Sequence, residues 1–293
     1  MNLLVRLAAR KTLHLLVVQR IPHPLAELRT SKFEGYAFRK ELRKAYLKLS
    51  GGIMKPYFAI QWHITDVCDQ RCKHCYIFSE GHPQLITTPL DELKSTYTQI
   101  KDFCDKIERT PYIYLTGGDP ILHPNFWELL EMFKADGTRF CIMGNPFHLT
   151  DEVCVALKDC GCVKYQLSLD GLEQTHDMFR KQGSFQTTLN AIKTIKRSGM
   201  WCAVMSTVSK TNMHEIPALI DLVDFCGVDV FAVGRYCPTS VEKAYDKDIH
   251  IPPANIESFW KSVGKSTNST KIQRLRFSSR TIYGVCFSMK KAC

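Results

Sequence analysis

The sequence reads as an α/β chain, a partial (β/α)6 TIM-like barrel with an N-terminal extension and a short C-terminal remnant. Two observations predict this. Six short runs rich in β-branched and aromatic residues recur from Tyr57 onward, and stretches with helical spacing separate them. Such alternation argues for a parallel sheet with helices outside. Right-handed crossovers let the sheet lie flat or curl, and six units fall short of a closed eight-fold barrel. In either form the active site belongs at the carboxyl ends of the strands.

The strand-like runs are 57–64, 112–116, 139–143, 163–169, 201–208 and 229–233. Between them, Leu93, Tyr97, Ile100 and Cys104 share one helical face, as do Leu189, Ile192 and Ile195. Helix starts are expected at Thr88-Pro89, His123-Pro124, Thr150, Ser184 and Asn212. A short basic amphipathic helix fits 41–49. The division expected is a basic extension over 1–53, a core over 54–265 and a remnant over 266–293.

The chain has 293 residues, 45% of them hydrophobic, enough for one large core with or without appendages. No run of 18 uncharged apolar residues occurs, so no stable membrane span is expected. The net charge of +10 sits at the ends. Residues 1–55 hold 12 Lys/Arg against 3 Asp/Glu, residues 261–293 hold 8 against none, and the middle holds 19 against 26. Basic ends can touch nucleic acid or anionic lipid, but a solvated helix face or loose tail explains them more simply. The acidic middle argues against a nucleic-acid partner. Of 13 cysteines, Cys104, Cys141, Cys154, Cys202 and Cys226 stand singly in apolar runs and read as small core residues. That usage, and Arg6, Arg10 and Lys11 breaking the first apolar stretch, favour a reducing, cytoplasmic location over secretion. A transit-like or amphipathic surface helix stays open for the first twenty residues.

The first strand runs into Thr65-Asp66-Val67-Cys68-Asp69-Gln70-Arg71-Cys72-Lys73-His74-Cys75-Tyr76, with the spacing C-x3-C-x2-C. Three thiolates on one short loop can hold three irons of a cube-shaped cluster and leave the fourth iron open. Structural zinc would need a fourth ligand, and His74, lying between two cysteines, is strained for that. A disulfide would leave an odd thiol and needs an oxidising compartment. Further chemistry-bearing segments end the later strands. They are Thr116-Gly117-Gly118-Asp119-Pro120, Met143-Gly144-Asn145-Pro146, Ser168-Leu169-Asp170-Gly171 followed by Arg180, Met205-Ser206-Thr207-Val208, and Gly234-Arg235-Tyr236. Taken alone, Gly117-Gly118 and Asn145 are turn residues and Asp170 reads as a cap for the next helix.

The cysteine spacing, with Cys72-Lys73-His74-Cys75-Tyr76, resembles the signature of the radical S-adenosylmethionine (SAM) superfamily over roughly residues 55–240. Many members have an aromatic residue before the last cysteine, where His74 stands here. The resemblance implies a [4Fe–4S] cluster on Cys68, Cys72 and Cys75 and SAM contacts at Tyr76, Gly117, Gly118, Asp119, Asn145, Ser168, Arg180 and Arg235. Gly117-Gly118-Asp119-Pro120 matches the family's Gly-Gly-Glu-Pro, whose backbone meets the SAM amino group, with Asp in place of Glu. Asn145 departs from the Thr-Asn-Gly of relatives. Ser168 and Arg180 resemble a branch of peptide maturases with a C-terminal SPASM domain. There the Ser lies by the SAM ribose and methionine end, and the Arg pairs with the carboxylate. The implied chemistry passes one electron to the sulfonium, yielding methionine and a 5′-deoxyadenosyl radical that abstracts hydrogen from substrate. No general-base dyad is needed, and no catalytic side chain is assigned.

By the same resemblance the chain oxidises or cross-links a residue of a ribosomally made peptide, as cysteine-rich or repeat-peptide maturases and sulfatase-maturing enzymes do. The implied partners are a small cysteine-rich precursor peptide and a one-electron reductant such as flavodoxin or ferredoxin. The alternatives are an RNA- or cofactor-modifying radical SAM enzyme, or an inactive cluster-binding fragment. Only Cys286 and Cys293 follow the core, where a SPASM domain needs several more, so the remnant reads as the start of a truncated one.

Overall fold

The computed structural model describes residues 55–78 and 85–236, Ile251, Phe259, and two backbone segments, Leu275–Arg276 and Val285–Ser288. The basic extension, the 41–49 helix, Cys237 and Cys293 lie outside the described residues.

Six strands follow the expected runs. They are β1 (Tyr57–His63), β2 (Thr110–Thr116), β3 (Phe140–Met143), β4 (Cys162–Ser168), β5 (Trp201–Val208) and β6 (Val230–Arg235). β1 and β2 lie mostly in one compact unit, and in the other the sheet order is β3-β4-β5-β6, sequential as in a partial (β/α)6 barrel and continued by β8 (Val285–Ser288) and β7 (Leu275–Arg276). β3, β4, β5 and β6 pair in parallel, whereas β8 runs antiparallel to β6 and to β7. These last two strands have no counterpart in the sequence reading, because segments so short carry no legible alternation.

The helices are α1 (Leu90–Lys106), α2 (Phe126–Ala135), α3 (Asp151–Asp159), α4 (Glu173–Phe179), α5 (Ser184–Ser198) and α6 (Ile216–Phe225). α1 buries the predicted Leu93, Tyr97, Ile100 and Cys104, with Asp91 and Glu92 in its first turn and Lys106 in its last, each favourable to the helix dipole. Thr150 caps α3 as expected, its hydroxyl accepting from the Val153 N–H at 3.2 Å. α2 starts later than His123-Pro124. The buried His123 ring bonds the Thr88 carbonyl oxygen at 2.8 Å and accepts from the Asn125 N–H at 3.0 Å, locking the chain into a turn first. Likewise Asn212 opens a 3₁₀ turn, Met213–Glu215, before α6. α4 is not among the expected helix starts, although Asp170 read as a cap for a helix after it. Its seven residues lack an apolar stripe, and Glu215 holds its start through Leu172 N–H at 2.7 Å and Thr175 Oγ1 at 2.6 Å.

The chain forms two compact units, described residues 55–62 with 89–114, and 63–88 with the chain from 115 onward. In the first, Tyr57 meets Tyr112 and Phe58 meets Phe103 edge to face, with centroids 5.5 and 5.3 Å apart. In the second, Leu129, Phe133, Phe140, Ile142, Tyr165 and Ile192 are among the fully buried side chains. Cys104, Cys141, Cys154 and Cys202 are buried as predicted, but Cys226 is half-exposed just past α6. No described helix is long and apolar enough to cross a membrane.

Candidate functional site

The cysteine loop is tied to the sheet by the residues that enter it. Thr65 Oγ1 bonds Thr87 Oγ1 at 2.9 Å and accepts from the Val67 N–H at 3.1 Å. Asp66 takes the His63 Nε2 at 2.6 Å and the Ile86 N–H at 3.0 Å. From the end of β2, Gly118 N–H donates to Thr65 O at 2.7 Å and Asp119 N–H to Val67 O at 2.8 Å. These backbones approach so closely that a Cβ on Gly117 would lie 2.2 Å from Thr65 O, and one on Gly118 2.2 Å from Val67 O. The Gly-Gly pair is therefore required by the loop's own backbone, a reason additional to the cofactor approach that the resemblance implies.

The three thiols sit half-exposed, while six other described cysteines are buried. Cys68 Sγ receives the Asn145 amide at 3.2 Å and the Gln70 N–H at 3.4 Å. Cys72 Sγ lies 3.7 Å from Arg180 Nη1 and 3.4 Å from Gln70 Oε1. Burial pushes the Cys68 thiol up, against the pull of the Gln70 and Asn145 donors, with Asp119 and Asp69 adding to the rise. Burial takes Cys72 to about 11, opposed by Arg180 and reinforced by Cys75, Asp170 and Cys68. Neighbouring thiolates that repel one another and are partly desolvated suit a shared cationic centre, which deprotonates coordinating thiols.

Beside Cys68 lies an acidic corner. Ligand atoms of Asp69, Asp119 and His148 fall within 4.8 Å of one another. Asn145 Nδ2 donates to Asp69 Oδ1 at 2.6 Å, and His148 Nε2 is 3.2 Å from Asp69 Oδ2. Asp119 is fully buried, and neither carboxylate oxygen reaches a hydrogen bond. Burial and then Asp69 raise it to about 7, although the Asn145 and Ile121 N–H groups approach closely enough to temper the rise. An orphaned buried acceptor next to the thiols suits a cationic or N–H-bearing group such as the amino end of an amino-acid cofactor.

On the other side of the loop a buried network centres on Asp170. Arg180 Nε donates to Asp170 Oδ2 at 2.6 Å, Thr207 N–H to Oδ1 at 2.8 Å, and His74 Nε2 stands 3.5 Å from Oδ2. The Asp170 N–H donates to His176 Nδ1 at 3.1 Å. Burial alone would raise Asp170, but Arg180, His74 and the hydrogen bonds hold it at about 2. Burial depresses His176 to about 4, so its ring is neutral at pH 7, with Nε2 unpartnered. Asp170 does not cap a helix. Leu172 occupies the N-cap of α4, and the Asp170 carboxylate turns inward to its cation.

The expected site residues fall at carboxyl ends of strands or in the loops that follow, except Arg180, which is the C-cap of α4. Asn145, Asp119 and Arg180 meet the cysteine loop directly or through Asp69. Ser168 and Arg235 end β4 and β6, half-buried. Tyr76 is 56% exposed. The sequence reading missed Asp69, His148, Gln70 and His176. A visible signal existed for Asp69 and Gln70, which are polar residues inside the cysteine spacing. His148 and His176 become meaningful only through tertiary contact.

The pattern of the radical SAM superfamily matches residues 62–223. The chain is 28% identical over 218 residues to an AdoMet-dependent heme synthase of Methanosarcina barkeri, covering 73% of this chain and 60% of that one. It is 30% identical over 172 residues to the mycofactocin maturase MftC of Mycobacterium tuberculosis, covering 57% and 42%. In fold it resembles Streptococcus suis SuiB, solved with S-adenosylmethionine, at a TM-score of 0.56 and 18% identity, covering 81% of this chain and 54% of that one. The chain thus spans about half the length of these relatives. With the matching pattern starting at the end of β1 and running through α6, the chain belongs to the radical SAM superfamily, whose members use a [4Fe–4S] cluster and SAM.

Proposed function

We propose that Cys68, Cys72 and Cys75 hold a [4Fe–4S] cluster, and that the chain uses SAM bound there to oxidise or cross-link a residue of a ribosomally made peptide. When both are bound, that pair supplies one-electron cleavage of a SAM carbon–sulfur bond and hence a carbon radical able to abstract hydrogen. The observation that carries the reading is the convergence of N–H donors on two of the three thiols, from Asn145 at 3.2 Å and Arg180 at 3.7 Å. Asp119 would accept from the SAM amino group, for which its unpartnered carboxylate is suited. Gly117 and Gly118 would leave their backbone open to the same end of the molecule. Ser168, Asn145, Arg235 and Tyr76 would line the remainder, with Arg180 near the carboxylate.

The peptide substrate draws on MftC and on SuiB, which has been solved with its precursor peptide SuiA. A flavodoxin or ferredoxin would supply the electron. A second reading, modification of a tetrapyrrole, is favoured by the 73% coverage of this chain in the match to the heme synthase. Anaerobic reconstitution followed by SAM and dithionite tests the core of the proposal. The expected result is 5′-deoxyadenosine that disappears in Cys72→Ala. Zinc in place of iron, or no SAM cleavage by the iron-loaded protein, overturns it. Incubation with cysteine-rich peptides and with iron porphyrins, read by mass change, separates the two substrate readings.

A further inference from the structure

Arg180 stands between two anionic groups and reaches both. Its Nε donates to Asp170 Oδ2 at 2.6 Å, and its Nη1 lies 3.7 Å from Cys72 Sγ. The pair is deep, with the Arg180 side chain 12% exposed and Asp170 fully buried. Asp170 is itself immobilised. Thr207 N–H donates to its other oxygen at 2.8 Å, its own N–H donates to His176 Nδ1 at 3.1 Å, and Asn212 Nδ2 donates to its carbonyl oxygen. The residue before Arg180 also grips the residue after Cys72, through Lys73 N–H to Phe179 O at 2.8 Å. The guanidinium is thus fixed at one edge by a carboxylate that cannot move, while a second edge faces a sulfur. A simple counterion for Asp170 would not need the loop's backbone clamped to the same turn.

We propose that Arg180, aimed by Asp170, is a positioning residue that donates to the Cys72 sulfur and sets the reduction potential of the cluster. The proposal rests on the reading of Cys68, Cys72 and Cys75 as cluster ligands. An N–H donor and a positive charge at a ligand sulfur stabilise the more negative, reduced cluster and so raise its potential. This role exists before SAM binds, which separates it from a contact with the SAM carboxylate.

The test uses the reconstituted holoprotein without SAM, titrated electrochemically and read by EPR of the reduced cluster. Arg180→Gln removes the charge and, being shorter, withdraws the donor at the Nη1 position from Cys72. The ratio of reduced to oxidised cluster at a fixed solution potential should fall about tenfold, a shift of about 59 mV to more negative potential. Arg180→Lys should recover most of that shift. An unchanged midpoint in Arg180→Gln, whatever happens to SAM affinity, overturns the proposal. If Arg180→Gln folds by circular dichroism but assembles no cluster, iron content becomes the measure. Recovery in Arg180→Lys then supports the proposal, and equal loss overturns it. Wild-type protein that takes up no cluster refutes the three-cysteine reading itself, and this inference falls with it before any variant is made.

Discussion

Gly118 occupies a place where any side chain would enter the carbonyl oxygens of Val67 and Asp66, 2.2 and 2.6 Å from an added Cβ. Backbone cannot yield as a flexible side chain does, so Gly118→Ala should cost at least about 1–3 kcal/mol, as overpacking does. Urea denaturation measures that loss, and iron uptake should fall with it because the displaced backbone belongs to the cysteine loop. Asp170 makes a second prediction. Removing its charge leaves Arg180 buried without its carboxylate, and breaking a buried pair costs about 3–5 kcal/mol. Asp170→Asn should therefore lower the urea midpoint strongly. The same carboxylate is held down at about 2 in the folded chain. A depressed carboxylate contributes stability that is present above its unfolded value, near 4, and lost as pH falls towards 2. Thermal melts of the wild type between pH 5 and pH 2 should show that loss, and Asp170→Asn should flatten the slope.

Among the elements, helices begin where the local chemistry allows rather than where apolar periodicity starts. Thr150 is the plainest case, with its hydroxyl accepting from Val153 N–H. Thr150→Ala should cost about 1 kcal/mol in urea denaturation, since a capping acceptor is lost from an otherwise intact helix. α5 shows a cap that no local motif announces. Asp177, in α4, accepts from Gly183 N–H at 2.6 Å and Phe185 N–H at 2.8 Å, serving the orphan donors of the next helix. The apolar face of α5 was legible, with Ile192 and Ile195 fully buried while Leu189 is only half-buried. Ile192→Ala should cost about 2–5 kcal/mol by the cavity it leaves. α4 had no apolar stripe to read, and its start is held by Glu215, 43 residues beyond Leu172 and 40 beyond Thr175.

For the whole molecule, ten cysteines have described side chains and all ten are free thiols in this structure. Their exposure divides them. Cys68, Cys72, Cys75 and Cys226 are half-exposed, and the other six are buried. Under native conditions an alkylating reagent should reach the exposed four before the six, because reaction at a buried thiol requires opening of the core. Loading with iron and sulfide should then protect Cys68, Cys72 and Cys75 and leave Cys226 reactive. Peptide mapping by mass spectrometry checks this. Protection of Cys226, or continued labelling of all three loop cysteines, would contradict the ligand assignment.

Alternating apolar runs and the C-x3-C-x2-C spacing were enough to place six strands and the loop where the chemistry sits, and the family resemblance carried by that spacing implied the cofactors. Those properties are local or periodic, and the fold only arranges them. What the linear chain did not disclose was which polar groups meet. Asp119 lost its partners, Asp170 turned from an expected cap into the anchor of Arg180, and Asn145 moved from an ambiguous turn to the Cys68 sulfur. The Asn145–Cys68 contact spans 77 residues, and the Asp170–Arg180 pair, only 10 apart, crosses the whole of α4. Burial decides whether such a charge is paired, shifted or orphaned, and burial exists only once the chain has folded.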